Sequence, residues 1–170
     1  MTPRQTPFAI AALAAFALLT ACGSGDSPAA PAESAVTLEN GLTARETIEA
    51  RQAHLKNVGK AFKTISDNLK AGEPDLAAIQ AAAAAIPSEV SDMDTWFPAG
   101  SGPDAGVKTA ALAVIWEERT ELETKITNLQ SAAATLDTTA QAGDIAAIAE
   151  AFKATGATCK SCHDKFRAED

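Results

Sequence analysis

From residue 43 to residue 166 the apolar positions recur at steps of three and four, the spacing that keeps one face of an α-helix against its neighbours. The first predicted helix, A, starts at the capping box Thr43-Ala44-Arg45-Glu46 and runs to Ala71, with Gly72 past its end. Ile48, Leu55, Val58, Phe62, Ile65 and Leu69 form its seam, and Arg51 occupies the one seam position that is not apolar. Helix B begins near Pro74, carries Leu76, Ile79 and Ile86 among many alanines, and is ended or kinked by Pro87. Residues 88–106 read as a connection, broken by Pro98, Gly100, Gly102, Pro103 and Gly106 and containing Trp96 and Phe97. Helix C spans Thr109 to Ala140 with Ile115, Leu122, Ile126, Leu129, Ala133, Leu136 and Ala140 on its seam. Trp116 flanks that seam, and Arg119 interrupts it at what reads as a solvated end. Gly143 stops helix C and Asp144 caps helix D, which puts Ile145, Ile148, Phe152, Cys159, Cys162, His163 and Phe166 broadly on one face. So short a connection makes C and D antiparallel neighbours. There is no internal repeat and no convincing strand, so the pattern predicts an all-α fold, an antiparallel up-down-up-down four-helix bundle.

Composition sharpens this. Apolar residues are 46% of the 170, much of it alanine, while aromatics are 5% and tyrosine is absent. Alanine suits closely packed helices but leaves few bulky groups to fill a core, so an apolar cofactor would supply missing volume. The formal charge is −8, and losing the first 21 residues, which hold Arg4 and no carboxylate, makes it −9. That balance argues against nucleic acid as a partner and permits a basic redox partner protein.

Ahead of the bundle, residues 1–21 read as an export signal, with Arg4 at its positive end and a short apolar run from Phe8 to Leu19. Leu19-Thr20-Ala21-Cys22 resembles a bacterial lipobox, which predicts a lipid on Cys22. The alternative is ordinary cleavage near Ala21 that leaves a free thiol. Residues 22–40, rich in Gly, Ser, Pro and Ala, read as a flexible linker, and 41–170 as the bundle domain. The expected location is the periplasmic side of a bacterial membrane, tethered through Cys22 or soluble. Gly23 after the cysteine resembles sorting to the outer membrane.

The chemistry lies in Cys159-Lys160-Ser161-Cys162-His163, a C-x-x-C-H sequence of the kind that attaches c-type haem. Two thiols at this spacing can form thioethers with the two vinyl groups of one porphyrin, and the histidine that follows is held under the iron as its proximal ligand. A zinc site would need more ligands than His54 and Cys22 can add, and a redox dithiol would need a βαβ setting. With Cys22 lipidated, no cysteine remains for a disulfide. In this setting Trp96 and Phe97 are expected to cover an edge of the core or cofactor. Arg51 has two readings, snorkelling to water at the bundle end or pairing with a haem propionate.

Several segments together resemble the cytochrome c′ family: Ala50-Arg51-Gln52 with Leu55-Lys56 and Gly59, then Phe97-Pro98-Ala99-Gly100, then Ile115-Trp116, and finally Cys159 through Arg167. The haem sequence close to the C-terminus is part of that resemblance. It implies one covalently attached haem c per chain, held by Cys159 and Cys162 with His163 on the iron. It further implies that Arg51 lies by a propionate, Arg167 lies near His163 on the proximal side, and Leu55 stands over the open distal face. It also implies a homodimer through helix A.

Two functions follow. In the first, a five-coordinate high-spin iron binds small gases, because leucine cannot ligate and offers no hydrogen bond to O₂. NO and CO are then the ligands, and the protein is an NO carrier, sink or protective protein with no turnover. Electron-transfer relatives resemble this chain but place Met where Leu55 stands. The second function is therefore a six-coordinate periplasmic electron carrier that uses His54 or Met93 as sixth ligand. His54 is expected beside the seam, facing a neighbouring helix or water, and Met93 could reach only if the connection folds over the haem. A weaker third reading is a structural lipoprotein whose haem completes the core.

Overall fold

A computed structural model describes residues 36–169. The predicted export signal, Cys22 and the first part of the predicted linker lie outside them. Five α-helices follow in order: α1 (Ala44–Lys70), α2 (Leu76–Glu89), a short α3 (Val114–Glu117), α4 (Arg119–Ala142) and α5 (Ile145–Phe166). The four long ones make the expected all-α, antiparallel, up-down-up-down bundle.

The local signals act where the sequence puts them. Thr43 caps α1, accepting from the Glu46 amide while Glu46 accepts from Thr43 in return. Gly143, at φ +84°, ends α4 in the left-handed conformation that glycine adopts without penalty, and Asp144 caps α5 at once. α2 starts later than predicted, on Asp75 rather than Pro74. Pro87 does not end it, because the helix lasts only to Glu89 and the missing amide falls in the final turn.

Two stretches differ from the sequence reading. Residues 37–43, placed largely in the linker, form a tight turn closed by a Thr37–Thr43 bridge, with Asn40 bonded to Thr47. Helix C does not begin at Thr109. Residues 110–112 instead run beside the end of α5, with the Ala168 amide donating to the Ala110 carbonyl at 2.8 Å and the Leu112 amide to that of Phe166 at 3.0 Å. That pairing is non-local, so periodicity could not reveal it.

The core runs along the bundle axis through Ile48, Ile65, Ile79, Ile86, Leu122, Leu136 and Ile148, all nearly or fully buried. Burying each such side chain is worth about 1.5–3 kcal/mol. α1 packs on α2, α2 on α4, and α4 on α5, where buried Thr155 reaches the Ala132 carbonyl. The circuit is left open, because α1 and α5 barely meet along most of their length.

Candidate functional site

The gap between α1 and α5 is a cavity of about 780 Å³. Residues of α1 that line it fall on one stripe, Arg51, Gln52, Leu55, Val58, Gly59 and Phe62, and α5 contributes Gly156, Cys159, Lys160, Cys162, His163 and Phe166, with Arg167 just beyond. Val90, Met93, Phe97, Ile115, Leu122, Ile126 and Leu129 make an apolar floor. All six site residues predicted from sequence line this cavity, five of them on α1 and α5 and Arg167 just past α5.

The register of the two walls follows from their ends. Phe62 and Phe152 meet at the far end, ring centroids 4.9 Å apart, and a side chain on Gly156 would lie 3.9 Å from Phe62. At the near end, the segment that bonds Arg51 through Thr109 is paired with Arg167 through Ala111. The helices are antiparallel, so Phe62 to Leu55 and Gly156 to His163 are equal steps, each about 10 Å at ~1.5 Å per residue. Leu55 thus stands across the cavity from the turn of α5 that holds Cys159, Cys162 and His163.

Arg51 does not snorkel. It is 2% exposed, and its guanidinium donates to the Ser101 carbonyl (2.8 Å), Ser101 Oγ (3.1 Å), Thr109 Oγ1 (2.8 Å) and the Trp96 carbonyl (3.4 Å). Its Cζ also lies 5.0 Å from the centre of the Phe97 ring. Burial lowers its pKa to about 10, which leaves it charged at neutral pH. The four contacts use both terminal nitrogens. Arg119, at the partly solvated start of α4, pairs with Glu123 and also donates to the carbonyls of Phe97 and Asp94. Two arginines read from sequence as irregular seam positions therefore hold the 94–109 connection in place.

His54 turns away from the cavity. Its Nδ1 lies 2.7 Å from Glu89 Oε2, and its ring stacks on Trp96 at 4.9 Å. It faces a neighbouring helix, as its position beside the seam predicts. Met93, 5% exposed, does line the cavity, because the connection folds under it.

The electrostatics suit ligation. Burial raises the pKa of the Cys159 thiol, and burial plus the neighbouring Cys159 raises that of Cys162, so both are neutral thiols at pH 7. Desolvation, with Arg167 second, lowers the pKa of His163, which favours the neutral imidazole that a metal needs. Lys125, which sequence reading missed, reaches from α4 to Ser161 Oγ at 2.6 Å inside the C-x-x-C-H segment. Gly59 and Gly156 were missed as cavity residues too, although glycine inside a helix is itself a signal of close approach.

These residues fit a haem. The walls are apolar, two thiols and one imidazole lie on one helix face, and cations stand at one end. At Gly59 a Cβ would meet no described atom within 4 Å, so the protein's own packing does not explain that missing side chain.

Comparison with known proteins agrees. The sequence model of the family described as Cytochrome C' matches residues 46–167. The cytochrome c′ of Rhodopseudomonas palustris is 36% identical over 138 residues, covering 79% of this chain and 91% of that protein. That of Pararhodospirillum photometricum is 36% identical over 121 residues, covering 71% and 94%. Among solved structures, a cytochrome c′ with an unusual ligand-controlled dimer dissociation has a TM-score of 0.72 at 34% identity, covering 76% of this chain and 99% of that one. The cytochrome c′ of Thermochromatium tepidum has a TM-score of 0.71 at 30% identity, covering 75% and 98%.

Proposed function

The chain belongs to the cytochrome c′ family, and from that premise we propose that it binds small diatomic gases, NO and CO, at a haem iron with one protein ligand. Proteins of this family carry a covalently attached c-type haem, one per chain. Cys159 and Cys162 would form the two thioethers and His163 would give the proximal nitrogen. Arg51 would lie by a propionate, and Arg167 on the His163 side. Held there, the haem would supply an iron able to take up a small gas as ligand.

One observation carries the reading: Leu55 of α1 lines the cavity across from His163 of α5, where it would stand over the distal face. Leucine excludes water, cannot ligate, and gives no hydrogen bond to O₂, so ligands that need no donor, NO and CO, are selected. His54, the next residue, is held by Glu89 and Trp96. The role is that of an NO carrier, sink or protective protein, and no turnover is assigned. The relative with ligand-controlled dimer dissociation supports a homodimer here, which we assign to the outer face of α1. The lipid on Cys22 would hold the protein at the periplasmic face of a membrane. Among the described residues no helix is long and apolar enough to cross one.

The test is the absorption spectrum of the purified ferrous protein, with and without CO and NO. A high-spin spectrum that shifts with each gas is expected, and a low-spin spectrum indifferent to both would overturn the reading. A second reading, the six-coordinate electron carrier, is favoured by Met93 on the cavity wall. A low-spin protein that Met93→Leu turns high-spin would establish it.

A further inference from the structure

The charges of this chain are sorted by face. The whole molecule is acidic, at −8, yet both walls of the cavity are edged with cations. From Leu55 to Lys70 α1 holds four lysines and one carboxylate, Asp67. From Ala151 to Arg167 the other wall holds four cations and one carboxylate, Asp164. α2 has no cation, and the stretch from Asp92 to Glu123 holds seven carboxylates against Lys108 and Arg119.

Helical spacing puts the cations of the two walls at the mouth. Gln52, Gly59 and Lys160 line the cavity and are exposed, so they mark where it meets solvent between α1 and α5. Lys56 and Lys63 follow Gln52 and Gly59 by four residues each, one turn along the same face. Lys153 and Arg167 lie two turns to either side of Lys160. Lys108 is brought to the same edge by a hydrogen bond of 3.0 Å from the Gln52 side chain to its carbonyl. All six cations are exposed. Asp67 and Asp164 offset Lys63 and Lys160, but no carboxylate among the described residues pairs with Lys56, Lys108 or Lys153.

We infer that this rim is the docking surface for an acidic one-electron donor protein. The donor loses one electron and a ferric haem iron held in the cavity gains it, with no bond made or broken and no proton moved. The inference rests on haem occupying the cavity, not on which gas it binds. Screening over about 10 Å at ~0.1 M salt means that a partner on the rim meets these lysines before the carboxylates of the far side. The local field, rather than the net charge, then steers encounter. Net charge alone would select a basic partner.

The experiment mixes ferric holo protein with excess reduced flavodoxin, a small acidic one-electron donor, across a range of salt. Wild type is compared with the triple variant Lys56→Glu, Lys108→Glu, Lys153→Glu, none of whose positions lines the cavity. The wild-type rate is expected to fall as salt rises, although both proteins are net negative. The triple variant is expected to react at least about tenfold more slowly at low salt and to converge on wild type at high salt, with its CO titration unchanged. A wild-type rate that rises with salt, or a triple variant as fast as wild type, overturns the inference. So does wild type that sediments with phosphatidylglycerol vesicles through these three lysines while its reaction with flavodoxin is insensitive to salt, which would make the rim a lipid-facing surface. Reduction as expected in a protein that takes up no CO supports the rim and overturns only the gas-binding reading.

Discussion

Phe62 of α1 and Phe152 of α5 meet with ring centroids 4.9 Å apart and planes tilted by 36°. The pair closes one end of a bundle edge that is otherwise open and fixes the register of its two walls. Everything about the site depends on that register. A slip of one turn would carry Leu55 off the turn of α5 that holds Cys159, Cys162 and His163. Phe62→Ala should therefore do more than remove a half-buried ring contact. It should destabilise the protein by about 2–4 kcal/mol in denaturant unfolding and broaden the haem spectrum as the walls lose alignment.

Haem attachment depends on both thiols. The double variant Cys159→Ala, Cys162→Ala should yield a loosened bundle without covalent haem, since an apolar cavity of about 780 Å³ then lacks its filling. In the wild type, acid-acetone extraction should leave the Soret absorbance with the polypeptide. Colour that leaves with the solvent would contradict covalent attachment.

Leu55 and His54 are adjacent in sequence but should behave oppositely. Leu55→Met should supply a thioether, move the iron toward low spin and suppress CO binding, and Leu55→Ala should speed CO binding. His54→Ala should change the spectrum little, because the ring is engaged with Glu89 and Trp96 outside the cavity. A high-spin product from a low-spin wild type would instead make His54 the sixth ligand.

Arg51 holds three residues of the connection at once. Arg51→Ala leaves the Ser101 and Trp96 carbonyls without their donor in a buried place, at a cost of about 2–4 kcal/mol. Denaturant unfolding measures it, and Arg51→Lys should recover only part, because one ammonium cannot reproduce the planar fork. Full stability in Arg51→Ala would mean that the connection holds itself.

Lys165 links α5 to the break before α4 by bonding Glu118 and Glu121. The hydrogen bond from Lys165 lowers the pKa of the Glu121 carboxyl below its ordinary value of 4.5. A lowered carboxyl pKa contributes stability above the unfolded value and loses it as pH falls through the folded one. The stability gap between wild type and Lys165→Met should therefore be present at neutral pH and close as pH drops below about 4.5. A gap that stays constant down to pH 2 would exclude the ion pair as its source.

Much of this protein was legible in its sequence because the signals are local. The Thr43 capping box, the Gly143-Asp144 stop and start, and the seams of α1 and α4 act over one or two turns, where chain geometry alone decides. The C-x-x-C-H segment is likewise local, since two thiols and an imidazole are brought together by five consecutive residues. What only the tertiary structure decided is non-local. Residues 110–112 have a helical pattern but pair with the end of α5, because carbonyl and amide partners there outweigh propensity. Arg51 and Arg119 look like flaws in apolar seams until the folded connection offers them Ser101, Thr109, Trp96, Phe97 and Asp94. Leu55 could be placed over the proximal histidine only by resemblance, since spacing along α1 says nothing of its level against α5. The two walls are joined at one end by Phe62 and Phe152, ninety residues apart in the chain and brought together only by the folded bundle.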